Sequence, residues 1–280
     1  MRPADQKAAS VFSVLRPFPA FATVCLLLFV LTLAVPSTMG SITSNAASWI
    51  VLFSALLSSI AGFAFSPIAG ALLFPLLGEP LSVVQILLVS SIAQQLYCVW
   101  RLRLGIRLGE CGPYLLGSVV TLPIGLLLLC KTSASTFLPF LGVLLISYGA
   151  FAIFKPDARA GANGWWGQVA VGALGGITGG LAAFPAAFVT MWCLIQGFDK
   201  HRARAIIQPF ILVNQVLSLS FLMAVRPEQI MPIGAIRYAA PAVVGAYLGL
   251  FIFERVDTST FNRIVGLFLI IAGLGFVISL

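Results

Sequence analysis

The sequence predicts an all-α polytopic membrane protein built from two inverted repeats, and three observations carry this prediction. Hydrophobic residues make up 60% of the 280 residues and charged residues 9%, with a mean hydropathy of +1.07. One soluble core could not bury so much apolar surface, so a lipid bilayer must solvate the rest. The chain also repeats itself, and each repeat opens with a long apolar block that glycine and proline interrupt.

The duplication is visible without gaps. Residues 114–153 align with residues 238–277 at a constant offset of 124, and 12 of the 40 positions are identical. The identities include glycines and a Ser-Thr-Phe triplet, which shared leucine content cannot produce. Two homologous halves in a membrane protein are typical of a secondary transporter, whose substrate site lies where the halves meet.

A basic arm and an apolar run from about Phe18 to Val35 precede the repeats. The run is long for a signal peptide and no clear A-x-A cleavage site follows it, so we predict a retained N-terminal span, with a cleaved signal peptide as the alternative. We divide the chain into residues 1–45 for this arm and span, 46–160 for repeat 1 and 161–280 for repeat 2.

Each repeat contains four apolar blocks, most of a length that suits one membrane helix. In repeat 1 they run from about Ala46 to Leu77, Leu81 to Trp100, Pro113 to Leu129 and Thr136 to Phe154. In repeat 2 they run from about Trp166 to Gln196, Ala203 to Val225, Ile233 to Phe253 and Thr260 to Leu280. The opening blocks are longer and contain glycine and proline, which predicts two short helical arms that meet at a broken tip.

The two interruptions match each other. Ser59–Pro67 corresponds to Gly176–Pro185 with one residue inserted. Because unpaired backbone groups cannot face lipid, a broken helix at membrane depth must be buried in protein or line a wet cavity. The broken tips are therefore the leading substrate-binding candidates, with close packing of small residues as the alternative. The candidates are Gly62, Phe63, Ser66, Pro67, Thr178, Gly179, Gly180 and Pro185.

Positive charges distinguish two topologies. If every block crosses once, nine Lys and Arg residues fall inside and seven outside. If each opening block returns to its own side, thirteen fall inside and three, Lys131, Arg226 and Arg237, outside. The second count agrees with the positive-inside rule. It predicts inverted repeats, a cytoplasmic N-terminus, an outside C-terminus and two tips that approach the bilayer middle from opposite sides.

Amide side chains inside the spans are a second signal for a site. Gln94–Gln95 lies in the second block of repeat 1, and Asn214–Gln215 lies at the equivalent place in repeat 2, at an offset of 120. We expect Gln208–Pro209 to open that helix of repeat 2. Buried amides cost about 1–3 kcal/mol unless they are hydrogen-bonded. We count these five amides as substrate-binding candidates, with interhelical hydrogen bonding as the alternative.

The remaining polar residues favour simpler roles. Arg202 and Arg204 could attract an anion at the inner mouth, but positive-inside anchoring is the favoured interpretation. Glu79 lies at an outer loop and is interpreted as a solvated carboxylate, with proton carriage as the alternative. The single histidine, His201, has no second ligand nearby in sequence, and the five cysteines show no CxxC spacing. We predict neither a metal site nor a disulfide framework nor a cofactor.

Enzymatic and nucleic-acid functions are disfavoured. The chain contains no P-loop, nucleophile elbow or H-E-x-x-H motif, so we expect no ATP binding and no covalent catalysis. Its basic residues lie in short connectors between apolar runs, where membrane orientation explains them better than nucleic acid does.

The twin tips resemble those of the TauE/SafE sulfite exporter family, also called TSUP. The resemblance covers about residues 46–280 and rests on Ala61–Pro67, Gly175–Pro185, Gly197–Lys200 with Arg202, Pro113–Gly117 and Leu122–Gly125. It implies a bacterial inner-membrane permease for small sulfur-containing anions such as sulfite, sulfoacetate or thiosulfate, coupled to an ion gradient. Phe63–Ser66 departs from the glycine-rich form common in the family, which implies a narrower or more apolar tip.

We therefore predict a multi-pass anion transporter that works by alternating access, with a proton or sodium as coupling ion. The lipid bilayer and a small anionic substrate are its expected partners, and a homo-oligomer is compatible with the sequence. An assembly subunit without transport activity and an anion channel are the alternatives. Saturable, gradient-dependent flux distinguishes a carrier from a channel, and a scaffold shows no flux.

Overall fold

The computed structural model describes residues 41–62, 64–103, 105–106, 108–132, 134–154, 164–225, 232–253 and 258–278, with Leu27 and Val30. These residues form helices joined by short turns, without a strand among them, which confirms the predicted all-α class. Apart from Leu27 and Val30, the predicted N-terminal span lies outside the described residues.

The described residues from 41 to 154 contain five helices, and the first begins five residues before the predicted start of repeat 1. They are α1 (Ser41–Ala61), α2 (Phe65–Leu77), α3 (Pro80–Leu102), α4 (Leu108–Lys131) and α5 (Ala134–Phe154). The opening block is two helices, as predicted, and the break falls at residues 62–64. Glu79 is the N-cap of α3, where its carboxylate accepts hydrogen bonds from the Leu81 and Ser82 amides at 3.3 and 2.7 Å.

The described part of repeat 2 contains six helices. They are α6 (Trp165–Ala182), α7 (Ala186–Ile195), α8 (Lys200–Val225), α9 (Pro232–Ile236), α10 (Ala239–Phe253) and α11 (Thr258–Ile278). The opening block is again broken, between Ala182 and Ala186. The apolar block predicted from about Ile233 to Phe253 is a candidate membrane span from Gly234 to Phe253, but it differs from a single helix by a turn at residues 237–238. Pro241 cannot donate to the Arg237 carbonyl, and the chain turns there between α9 and α10.

The expectation that Gln208–Pro209 opens a helix was also wrong, because α8 begins at Lys200 and both residues lie inside it. Pro209 cannot donate to the carbonyl of Ala205, four residues earlier. The Cys111 thiol of α4 donates to that carbonyl instead, at 3.6 Å. A neighbouring helix thus compensates the hydrogen bond that proline removes, and α8 continues through it.

Five stretches of the described residues are long and apolar enough to cross a membrane: Thr43–Ile60, Pro80–Leu102, Leu108–Lys131, His201–Val225 and Gly234–Phe253. On α4, the side chains of Leu116, Val120 and Ile124 are at least half exposed. Their spacing of four residues places them on one face of the helix. An exposed apolar stripe of this length suits contact with lipid.

The helices of the two repeats interleave. The opening helix α6 packs along α4, and the opening helix α1 packs along α10. The pairs α5 with α11 and α3 with α8 also join the repeats. Glycines permit the close approach, because a Cβ on Gly117 or Gly125 would overlap backbone of α6 and one on Gly245 or Gly249 would overlap backbone of α1. Each repeat therefore completes its packing with the other.

Candidate functional site

The first helix break lies between α1 and α2. Gly62 has φ 90° and Ala64 has φ 77°, and both values lie in the left-handed region. The Gly62 amide still donates to the Ser58 carbonyl at 2.7 Å, so the last turn of α1 closes before the chain reverses. Within the described residues, the amides of Ala64 and Ser66 do not donate to the carbonyls of Ile60 and Gly62, as they would in a continuous helix.

Arg204 of α8 occupies the space beside this break. Its Nη2 donates to the carbonyl oxygen of Ser59 and, at 3.0 Å, to that of Ile60. The guanidinium also lies over the ring of Phe253, at 3.6 Å from its centroid. These carbonyls form the negative end of the α1 dipole, so they and the ring face both favour a positive charge.

Two buried glutamines complete the contacts at the first break. Gln208 Nε2 donates to the Gly62 carbonyl at 3.1 Å. Gln94 Nε2, from α3, donates to the hydroxyls of Ser58 and Ser59 at 2.6 and 3.1 Å. The Oε1 atoms of both glutamines are buried and have no hydrogen-bond partner within the described residues. The first break is thus lined by acceptors and by one guanidinium.

The second helix break lies between α6 and α7. Ala183 has φ 52°, and its amide and that of Phe184 donate to the Thr178 carbonyl, which ends α6. Pro185 then precedes α7 as its N-cap. Gln215 Nε2 donates to the Ala183 carbonyl at 3.0 Å, while its Oε1 is buried without a partner in the described chain.

One face of α8 reaches both breaks. Arg204, Gln208 and Gln215 are related by steps of four and seven residues, which keeps them within about 40° of arc at 3.6 residues per turn. Arg204 and Gln208 contact the first break and Gln215 contacts the second. At about 1.5 Å per residue, the two glutamines lie roughly 10 Å apart along the helix. The breaks are therefore neighbours at the centre of the fold.

The other predicted amides are also buried near this centre. Asn214 donates to the Phe210 carbonyl at 2.8 Å, and its Oδ1 accepts a hydrogen bond from the Ser118 hydroxyl. This makes Asn214 an interhelical link between α8 and α4. Gln95 is 2% exposed, and its Oε1 has no partner among the described residues.

Several predicted site residues occupy different places from those expected. Ser66 and Pro67 lie in the first turn of α2, where proline is tolerated because its amide would be unpaired anyway. Gly179 and Gly180 are helical residues of α6, and the unwound residue is Ala183. Neither glycine has a positive φ, so the broken tip predicted around Gly176–Pro185 turns at Ala183 and not at Gly179 or Gly180.

Packing explains these two glycines better than backbone freedom does. A Cβ on Gly180 would lie 2.6 Å from the Leu126 amide of α4, and one on Gly179 would lie 2.9 Å from Cβ of Pro185. The Thr178 hydroxyl donates to the Leu174 carbonyl at 3.1 Å, within its own helix. Phe63 lies outside the described residues.

Arg204 is the functional candidate that sequence reasoning set aside. It was interpreted as an inner-mouth anchor like Arg202, yet it is 3% exposed whereas the side chain of Arg202 is 47% exposed and pairs with Glu110 at 3.0 Å. Its spacing from Gln208 and Gln215 was the available signal, because the three share one helical face. A second signal was the run of apolar residues that follows it, Ala205 to Ile207.

The other polar residues agree with the simpler interpretations. His201 is exposed at the start of α8, and Glu79 is exposed as a helix cap. Cys98, Cys111 and Cys193 are buried, Cys130 is partly buried, and no disulfide joins any of these four described cysteines. Cys25 lies outside the described residues.

No curated protein and no solved structure shows a significant match to this chain. The family model described as Sulfite exporter TauE/SafE matches residues 47–276, which include both helix breaks and all the candidate residues. That family consists of membrane transporters. The chain therefore belongs to the TauE/SafE sulfite exporter family.

Proposed function

We propose that this protein is a secondary transporter that carries a small sulfur-containing anion, of the sulfite, sulfonate or thiosulfate type, across the bacterial inner membrane by alternating access. The observation that carries the proposal is the pair of helix breaks along one face of α8, each with buried polar atoms that lack a partner in the described chain. Such breaks present backbone groups to a bound ion. Family membership supports the sulfur-containing cargo.

In this proposal the repeats, residues 46–160 and 161–280, are inverted, with the N-terminus in the cytoplasm and the C-terminus outside. The interleaved packing supports a two-fold relation, because α1 with α10 and α6 with α4 are equivalent pairs with exchanged partners. The distribution of Lys and Arg supports the inversion. The first break then enters from the outside and the second from the cytoplasm.

Alternating access requires a structural element that couples a conformational change at one helix break to a change at the other. We assign this role to α8, because its buried face contacts both breaks. A movement of α8 against α3 would change the hydrogen bonds of Gln208 and Gln215 together. A proton or sodium gradient would supply the driving force.

The test is a counterflow assay with purified protein in liposomes, using sulfite, thiosulfate, sulfonates and carboxylates as competitors. We expect saturable counterflow that sulfur anions inhibit and carboxylates do not. Flux that never saturates would identify a channel instead. Folded protein in the liposomes without any flux would contradict transport and favour an assembly subunit.

A further inference from the structure

The first break contains a buried positive charge with an unused hydrogen-bond donor. Arg204 is 3% exposed, its Nη2 binds the Ser59 and Ile60 carbonyls, and its Nη1 is buried without a partner in the described part of the chain. No carboxylate of the described residues pairs with it, and Glu110 pairs with Arg202 instead. Buried charges in proteins are paired or fully hydrogen-bonded, so this guanidinium lacks an anionic partner.

We propose that Arg204 binds the transported anion directly, and that the anion site therefore lies at the first break and not at the second. The inference rests on the proposed transport function and names the charge that recognises its substrate. One guanidinium fits a small oxyanion, because its planar donors match the oxygens of a sulfur oxyanion. The free Nη1 is the donor that such an anion takes.

The repeats themselves explain why the site is one-sided. At the offset of 120 that relates α3 to α8, Arg204 corresponds to Val84 and Gln208 corresponds to Leu88. Both residues of α3 are buried and apolar. The second break consequently has no equivalent charge from α3, and Gln215 of α8 contacts it with a neutral amide. The backbone is duplicated, whereas the positive charge is not.

The same contacts link anion binding to the state of the break. Without the anion, the α1 carbonyls hold the guanidinium as weak negative partners at a helix C-terminus. A full negative charge at Nη1 attracts the guanidinium more strongly than these carbonyls do, so binding of the anion weakens the hydrogen bonds from Nη2 to Ser59 and Ile60. Departure of the anion returns Arg204 to the carbonyls. The substrate thus biases the conformation of the first break.

The experiment compares Arg204→Gln, Arg204→Lys and Arg202→Gln in full-length protein. Arg202→Gln is the matched control. It also removes one positive charge, but from Arg202, which lies two residues before Arg204 and forms an exposed ion pair with Glu110. Each variant is measured by sulfite counterflow in liposomes and by the rise of its thermal unfolding midpoint in detergent with sulfite, thiosulfate or acetate. Yield and monodispersity establish that each variant folds.

We expect Arg204→Gln to raise the half-saturating sulfite concentration about ten- to hundred-fold and to abolish stabilisation by sulfite. Arg204→Lys keeps the charge but loses the paired donors, so it weakens binding less, while Arg202→Gln behaves like wild type. If Arg204→Gln does not fold, wild-type affinity in Arg204→Lys would overturn the inference. An unchanged half-saturating concentration in folded Arg204→Gln would overturn it directly.

The outcomes also separate this inference from the proposed function. Wild-type counterflow with sulfite, together with unchanged affinity in Arg204→Gln, rejects the Arg204 site and leaves the transport function standing. Wild-type protein that shows no counterflow with any sulfur anion rejects the proposed function. Stabilisation of that same protein by acetate, lost in Arg204→Gln, would still support an anion site at Arg204.

Discussion

Both helix breaks contain left-handed backbone, and they differ in the side chains that bind their carbonyls. At the first, Gly62 and Ala64 have positive φ values, and the side chains of Arg204 and Gln208 donate hydrogen bonds to backbone carbonyls beside them. At the second, Ala183 has the positive φ, and Gln215 bonds to its carbonyl. The first break is charged and has two side-chain supports, whereas the second is neutral and has one among the described contacts.

This difference shows how a duplicated fold acquires a buried charge at only one of its two helix breaks. The helix breaks depend on glycine and proline in the opening block, and both repeats retain these residues. The charge depends on single side chains, and α3 has Val84 where α8 has Arg204. Four predictions test this contrast, beginning with the largest expected effect.

The variant Gly62→Val should abolish counterflow while the protein remains folded in the membrane. A side chain at φ 90° is strained by about 1–2 kcal/mol. A Cβ at this position would also lie 2.8 Å from Arg204 Nε and displace the guanidinium. Liposome counterflow measures transport, and size-exclusion chromatography shows separately whether the variant is folded.

The control is Gly78→Val at the end of α2. Gly78 has φ 71°, and a Cβ there would meet no atom within 4 Å. It has similar backbone strain without the contact to Arg204, so we expect transport to persist. Normal counterflow in Gly62→Val, or an equal loss in both variants, would contradict a specific role for the first break.

The variant Gly180→Ala should lower the free energy of unfolding by about 1–3 kcal/mol, because a Cβ would press into the backbone of α4. The measurement is thermal unfolding in detergent. Gly112→Ala is the control, since Gly112 is a helical residue of α4 whose Cβ would meet open space. If Gly180→Ala kept its stability but lost transport, Gly180 would belong to the binding site and not to helix packing.

The variant Gln215→Leu should destabilise the protein more than Gln208→Leu does. Each removes the donor to a buried carbonyl, which costs about 1–3 kcal/mol. Arg204 still holds the first break when Gln208 is lost, whereas the described residues show no second side chain on the Ala183 carbonyl. Thermal unfolding of both variants decides the order, and the reverse order would mean that the first break depends on Gln208.

The variant Ala183→Gly should have the smallest effect. Glycine relieves the left-handed strain at φ 52° but increases the entropy of the unfolded chain, and the two effects nearly cancel. We expect the free energy of unfolding to change by less than about 1 kcal/mol, with counterflow unchanged. A large loss of transport would show that the methyl group of Ala183 contributes to the site.

Local sequence chemistry predicted the breaks well. Glycine and proline interrupt the opening block of each repeat, and the structure breaks α1 from α2 and α6 from α7 there. Buried amides were equally visible, because Gln94 and Gln215 interrupt apolar segments. Both signals depend on residues within one or two helical turns, so no knowledge of packing was needed.

Longer-range features were less predictable. Gly180, a predicted residue of the broken tip, is helical and packs against α4, whereas Ala183, which was not among the predicted site residues, has the positive φ. The charges of Arg204, Arg202 and Lys200 are the same, so charge alone favours an anchor for each. Only the spacing of Arg204 from Gln208 and Gln215 sets it apart. Which of the three basic residues is buried depends on the helix face that meets α1.

The sequence by itself determined an all-α membrane protein with a duplicated plan and a broken opening block in each repeat, because hydropathy, repetition and glycine or proline act locally. The tertiary structure alone decided that one face of α8 serves both breaks and that Arg204 lies buried against the end of α1. Burial of a charge depends on partners contributed by distant segments, and these partners meet only when the repeats interleave.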